Sequence, residues 1–186
     1  KGGGSIYDFN EFQAIGKVCS ENGLKFHLDG ARLFNALVET DVTPGDYGQL
    51  FDSISICISK GLGAPVGSVL IGSKEFIKKS RRIRKVFGGG MRQAGYLAAA
   101  CIYALDNHVE RLREDHRRAK ELEILLQSLP YVSEVTPVQT NLVFFSLKAE
   151  MPVDLFLRKL RENDIYAMAL APQQVRFVTH LDISDE

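Results

Sequence analysis

Apolar residues recur at helical spacing near the start of the chain. Phe9, Phe12, Ile15, Val18 and Cys19 form one stripe and Glu21-Asn22-Gly23 supplies a C-terminal stop, which predicts a helix over 9–22. The pattern then shortens to alternation. Leu24-Lys25-Phe26-His27-Leu28 reads as a short strand ending at Asp29-Gly30, followed by a helix-prone stretch over 31–38. Residues 52–59 put Ile54, Ile56 and Ile58 on one face of a second strand. A third strand, 66–71, comes after the breaker-rich Gly61-Leu62-Gly63-Ala64-Pro65. A charged helix over 74–85 runs into Gly88-Gly89-Gly90, and a helix-prone run begins near Met91.

From His108 the helical pattern turns strongly polar, with Val109, Leu112, Ala119, Leu122, Leu126 and Leu129 as its apolar stripe and Pro130 just beyond. Strands over 132–135 and 141–147, a helix over 152–163 and strands over 165–169 and 175–179 complete the pattern. Helix–strand alternation in the first part predicts an α/β layer with a mainly parallel sheet, and the later order predicts a smaller α+β domain. The expected division is 1–107 and 108–186, with the long helix 108–129 as the link.

Composition changes this picture little. The chain has 186 residues, 45% hydrophobic and 25% charged, with 23 basic against 23 acidic side chains. A net charge of zero argues against a surface built for nucleic acid or anionic membrane. The longest apolar run, 97–105, is about half of the ~20 residues a spanning helix needs, so a soluble, cytoplasmic protein is expected. Cys19, Cys57 and Cys101 lack ligand or redox spacing and read as reduced thiols.

Ligands of open α/β sheets lie beyond the carboxyl ends of strands, so the residues just after each strand are the ones to inspect. Asp29 follows the first strand and Lys60 the second. A strand-end lysine among glycines can act as an amine nucleophile, and an aspartate beside it could keep a pyridinium nitrogen protonated. Taken alone, a solvated loop lysine and a helix N-cap are the simpler assignments. Neither Gly61–Gly67 nor the triple glycine matches a phosphate-loop pattern. No metal site is expected from His27, His108, His116 and His180, and His108 and His116, eight apart on a charged helix, read as a solvated face. No Gly-x-Ser-x-Gly elbow points to a hydrolase.

Four stretches occur together and in order: His27-Leu28-Asp29-Gly30-Ala31-Arg32, then 55–68 around Ser59-Lys60-Gly61-Leu62-Gly63, then 84–93 around Gly88-Gly89-Gly90-Met91-Arg92-Gln93, then Arg176-Phe177-Val178-Thr179-His180-Leu181-Asp182. In these the chain resembles the low-specificity L-threonine aldolases, pyridoxal-5′-phosphate enzymes of the aspartate-aminotransferase-like fold type I, over nearly its whole length. The resemblance implies retro-aldol cleavage of L-threonine and L-allo-threonine to glycine and acetaldehyde in a homo-oligomer, dimer or tetramer. It makes Lys60 the Schiff-base lysine, Asp29 the partner of the pyridine nitrogen, and Arg32 and Arg176 the pair that binds the amino-acid carboxylate. Two guanidinium forks suit that planar anion. Lys85 and Arg92 look like polar residues the family brings near the cofactor or a neighbouring subunit.

A full family member is longer. It carries upstream the loop that grips the cofactor phosphate and a histidine that stacks on the ring, neither of which is found in 1–28. The expectation is therefore the later half of a large cofactor-binding domain plus most of a small domain, truncated at its end, which alone neither holds the cofactor tightly nor cleaves threonine. Loss of neighbouring strands is expected to expose Ile54, Ile56 and Ile58. The base for the β-hydroxyl proton has no candidate in 1–186. The alternatives are another fold-type-I enzyme, such as an aminotransferase, serine hydroxymethyltransferase or β-eliminating lyase, and a catalytically dead interaction module.

Overall fold

The structure, a computed structural model, describes residues 3–185. The chain divides into two compact units, one formed by Tyr7–Arg111 and the other by 112–185 together with 3–6.

In the first unit, α1 (Phe9–Glu21) starts at Asp8, whose side chain accepts from the Asn10 N–H at 2.9 Å. It packs along Phe9 and Phe12 against α3 (Pro44–Leu50), where Tyr47 and Phe51 are buried and meet the α1 rings edge-on. Ile15 and Val18, placed on the same stripe by periodicity, remain exposed. Helix α3 was not expected from the hydrophobic pattern. Its signal is the Thr43-Pro44-Gly45-Asp46 capping box, in which Thr43 and Asp46 satisfy each other's backbone N–H. The Thr43 hydroxyl, which donates to Asp46 Oδ2 at 2.6 Å, and then the Thr43 N–H hold the Asp46 carboxyl below its ordinary pKa.

The sheet of this unit runs β1 (His27–Asp29), β2 (Ser53–Cys57), β3 (Ser68–Gly72), in that spatial order. β1 and β2 are parallel, with His27 opposite Ser53 and Asp29 opposite Ser55; β2 and β3 are antiparallel. The mainly parallel sheet expected from sequence is thus represented here by one parallel and one antiparallel pairing. The cause is the ten-residue link 58–67, which carries no helix and is too short for a parallel crossover. Asp52 ties the start of the parallel pair: it accepts from Lys25 Nζ at 2.8 Å and from the Phe26 N–H at 2.9 Å, and both contacts lower its pKa.

Ile54, Ile56 and Ile58 are buried, contrary to the exposure expected for them. Ile54 and Ile56 belong to the central strand and Ile58 directly follows it, and the apolar surface left open lies farther out. Val69, Leu70 and Ile71 on the edge strand β3, Ile83 and Val86 on α4 (Lys74–Val86), and Ile102 and Tyr103 on α5 (Gly95–Asn107) are all exposed. At the end of α4 the triple glycine terminates the helix. The Gly88 N–H donates to Lys85 O at 3.2 Å and the Gly89 N–H to Arg84 O at 2.8 Å, with Gly88 at φ 81°. That is a Schellman stop, which needs a left-handed residue at the first position past the cap.

The expected continuous helix 108–129 is interrupted at its start. α5 ends at His108, and α6 spans Leu112–Ser128. In the second unit α6 and α7 (Val153–Arg161) cover one face of a four-stranded antiparallel sheet ordered β4 (Val132–Val135), β5 (Leu142–Leu147), β7 (Gln174–Val178), β6 (Met168–Ala171). Val143, Phe145 and Leu147 from β5, Val175 from β7, Ala119 and Leu126 from α6 and Phe156 from α7 form its core. Residues 3–6, expected to belong with the first domain, pack here instead. Thr140 Oγ1 donates to Gly4 O at 2.7 Å and the Ile6 N–H donates to Gln139 Oε1 at 2.6 Å. Asp185 accepts from Arg118 and from Arg117, each at 2.7 Å, which lowers its pKa.

Two glycines of the first unit give opposite expectations. A Cβ on Gly30 would meet Ser55 O at 3.1 Å, Leu33 Cβ at 3.3 Å and Ile54 Cγ2 at 3.4 Å, whereas one on Gly48, inside α3, would meet nothing within 4 Å. Gly30→Ala should destabilise the protein by roughly 1–3 kcal/mol through overpacking, and Gly48→Ala should stabilise it by about 0.4–1 kcal/mol. Thermal melts of the two variants check the sign of each.

Candidate active site

Asp29 and Lys60 come from neighbouring strands. Asp29 is the last residue of β1, and Lys60 lies three residues past the end of β2. Because the two strands are parallel, Asp29 at the end of β1 and Lys60 just past the end of β2 lie toward the same, carboxyl end of the sheet, where an open α/β layer receives ligands. Both residues are exposed.

The backbone around Asp29 turns sharply. The Gly30 N–H still pairs with Ser55 O at 2.8 Å, extending the parallel ladder by one bond, and Gly30 O accepts the Leu33 N–H at 2.9 Å to start the next helix. That helix, α2, spans Leu33–Leu37, and its N-cap is Arg32. Asp29 therefore does not cap a helix. Among the described residues its Oδ1 accepts one long local bond, from the Ala31 N–H at 3.3 Å. Arg32, half-buried, follows within the same turn.

Lys60 opens a tight turn in which its carbonyl accepts the Gly63 N–H at 2.9 Å, with Gly63 at φ 70°. Ile58 braces the turn from below: its N–H donates to Gly67 O at 3.1 Å and its carbonyl accepts the Ala64 N–H at 3.2 Å. Leu62 and Ala64 are buried under it. The flexible-looking Gly61-Leu62-Gly63 is thus a closed loop with an anchored base and an exposed lysine.

Arg176 belongs to the second unit. It lies on β7 opposite Phe144 of β5 and Met168 of β6. By strand alternation it shares a face with Leu142 and Val178, the face turned away from the core of α6 and α7. Its Nε is buried and has no hydrogen-bond partner among the described residues. A buried guanidinium N–H without an acceptor is costly, and an anion bound beside it removes that cost. The strand is held in place just past Arg176. Thr179 donates from Oγ1 to Asp115 O at 2.6 Å, its N–H pairs with Asn141 O at 3.1 Å, and Asn141 Nδ2 donates to Thr179 O at 2.8 Å.

Lys85, in the last turn of α4, and Arg92, in the loop after it, are both exposed. Gly90 lies against the Lys85 stem, so closely that a Cβ there would fall 2.6 Å from Lys85 Cδ. The pairing of His108 and His116 as a solvated face is overturned. His116 is buried in α6, and His108 is the half-buried C-cap of α5, its Nδ1 2.6 Å from Leu62 O. Periodicity missed His108 because it carries one long pattern across the break between α5 and α6. Among the described residues, no three His, Cys, Asp or Glu side chains are grouped to hold a metal, and no helix is long and apolar enough to cross a membrane.

The donor set suits pyridoxal phosphate: an exposed amine and an exposed carboxylate at the same end of adjacent parallel strands, each on a braced backbone. Comparison with known proteins agrees. The chain is 37% identical over 185 residues to low-specificity L-threonine aldolase 1 of Arabidopsis thaliana, covering 98% of this chain and 52% of that one. It is 44% identical over 166 residues to the low specificity L-threonine aldolase of Escherichia coli K12, covering 89% and 48%. It therefore spans about half the length of the curated relatives it matches. The Leishmania major threonine aldolase structure superimposes with a TM-score of 0.79 at 24% identity, over 98% of this chain and 54% of that one. The fold is that of the type I pyridoxal-phosphate enzymes. Residues 1–150 match the model of the β-eliminating lyases, and the chain belongs to that family.

Proposed function

We propose that this chain carries the cofactor lysine of a threonine aldolase, a pyridoxal-phosphate enzyme that cleaves L-threonine and L-allo-threonine to glycine and acetaldehyde. The observation that supports it best is the parallel pairing of β1 and β2, which sets Asp29 and Lys60 at one end of adjacent strands. The identity to low-specificity L-threonine aldolases gives the reaction. Residues 7–111 then belong to the cofactor-binding large domain and 112–185 to the small one.

When bound, pyridoxal phosphate supplies the electron sink that lets the Cα–Cβ bond of the substrate break. The rest is the work of side chains. Lys60 would hold the cofactor through its side-chain amine, the group a substrate amine would take the place of. The Asp29 carboxylate accepts the N–H of the ring nitrogen and keeps a proton on that atom. Arg32 and Arg176 bind the substrate carboxylate, which fixes the rotation about Cα and with it the bond that breaks. Lys85 and Arg92 serve the cofactor surroundings or a neighbouring subunit. The exposed apolar residues of β3, α4 and α5 support a homo-oligomer, since patches of that kind mark interaction surfaces. The expected location is the cytoplasm.

With L-threonine and added cofactor, a complete enzyme containing this segment should release acetaldehyde and glycine in equal amounts, whereas residues 1–186 by themselves should not. Asp29→Asn should still take up cofactor but turn over more slowly, without loss of thermal stability, because Asp29 caps no helix. Amino-group transfer to a keto acid in place of acetaldehyde release would contradict the aldolase assignment. Unchanged turnover in Asp29→Asn would remove Asp29 from the site.

Arg176→Ala should lower kcat/KM for threonine by an amount equivalent to roughly 2–4 kcal/mol, mainly through a raised KM. Arg176→Lys should rescue it poorly, since an ammonium cannot reproduce the guanidinium fork. Wild-type kinetics in Arg176→Ala would place carboxylate binding elsewhere.

A further inference from the structure

We infer that His108 is a positioning residue for the Lys60 loop, holding the Leu62 carbonyl and through it the turn on which the lysine stands. The inference rests on Lys60 being the cofactor lysine. The Nδ1–Leu62 O separation is 2.6 Å, and a carbonyl oxygen only accepts, so Nδ1 carries the hydrogen and donates it. Leu62 is the third residue of the turn closed by the Lys60 O–Gly63 N bond, so this contact grips the turn from outside its own backbone ladder.

The seat for this loop is one face of α5. Cys101, Ala104 and His108 recur at helical spacing. Cys101 Sγ reaches Val66 O at 3.8 Å on the far side of the loop, and His108 reaches Leu62 O on the near side. Between them Ala104 is 1% exposed, a methyl group small enough for helix and loop to approach closely. Tyr103 stands edge-on to the imidazole, with ring centroids 5.5 Å apart, which limits the rotation of the ring.

Helix α5 stops at His108, whose backbone N–H still bonds Ala104 O at 2.9 Å. The imidazole is therefore fixed on a helix end and directed at the loop. The contact does not touch the cofactor or substrate. It acts through the 60–63 turn, by narrowing the range of positions open to the Lys60 amine.

Two substitutions separate this role from simple packing. His108→Phe keeps the ring and its contact with Tyr103 but has no donor, whereas His108→Asn removes the ring and keeps an N–H near the Nδ1 position. Hydrogen–deuterium exchange of the amides in 60–64 should speed up about tenfold in His108→Phe and stay near wild type in His108→Asn, with exchange in 142–147 unchanged in both. In the cofactor-loaded enzyme, kcat should fall in His108→Phe with KM for threonine little changed, and His108→Asn should restore it. Wild-type exchange in His108→Phe would overturn the inference, as would equal loss of protection in the two variants. Should His108→Phe fail to fold, a wild-type-like loop in His108→Asn beside a freed loop in His108→Ala supports the inference equally, and a freed loop in both overturns it. If another lysine bears the cofactor, the exchange result stands while the kcat effect disappears, so the two failures are distinguishable.

Discussion

The parallel ladder between β1 and β2 is the constraint on which the candidate site depends. Antiparallel pairing of these strands would carry Asp29 and Lys60 to opposite ends of the sheet; the parallel register, Asp29 opposite Ser55, brings them to the same end. The parallel arrangement requires a long crossover, and 30–52 provides it with α2 and α3. The capping box of α3, the aromatic packing of α1 on Tyr47 and Phe51, and the Asp52 contacts at the start of the strands all secure that crossover. Gly30 completes it, because its lack of a side chain lets the chain turn directly against Ser55 and Ile54.

Beyond the ladder, the candidate site residues Lys60 and Arg176 stand on backbone braced from elsewhere. The Lys60 turn is closed by Gly63 and tied to Ile58, Gly67 and His108. Arg176 is set by a central strand of an antiparallel sheet whose end is fastened by Thr179 and Asn141. Such bracing is what a site needs when reactive groups must be held in place rather than induced to move. Among the described residues the buried Nε of Arg176 has no acceptor, which is a donor that a bound anion would satisfy.

Much of this was legible in the sequence. The strong periodicities of α1, α4 and α7 and the β-branched run 53–58 gave elements close to those observed. The words around Asp29, Lys60 and Arg176 resemble those of threonine aldolases, and the structure sets Asp29 at the end of β1 and Lys60 just past the end of the adjacent strand β2. What escaped was set by contacts remote in sequence. Helix α3 is short and lacks a hydrophobic stripe, so its cap was the readable signal. The break between α5 and α6 has neither glycine nor proline and coincides with His108 turning to Leu62, 46 residues away. Burial of Ile54 and Ile56 follows from the central position of β2, and Ile58 is buried where the following loop closes over it through Ala64 and Gly67, neither of which local alternation encodes. The packing of residues 3–6 on the second unit depends on Gln139 and Thr140, more than 130 residues later.

The central claim, that Lys60 is the residue to which the cofactor is bonded, is tested most directly by borohydride reduction of the cofactor-loaded protein followed by peptide mapping. Reduction makes the bond between amine and cofactor permanent, so the labelled peptide names the lysine. A pyridoxyl group on the peptide containing Lys60, in a stoichiometry near one per chain, is the result expected from the strand-end geometry. A stoichiometric label on another lysine, or label spread thinly over many lysines with none preferred, would contradict it.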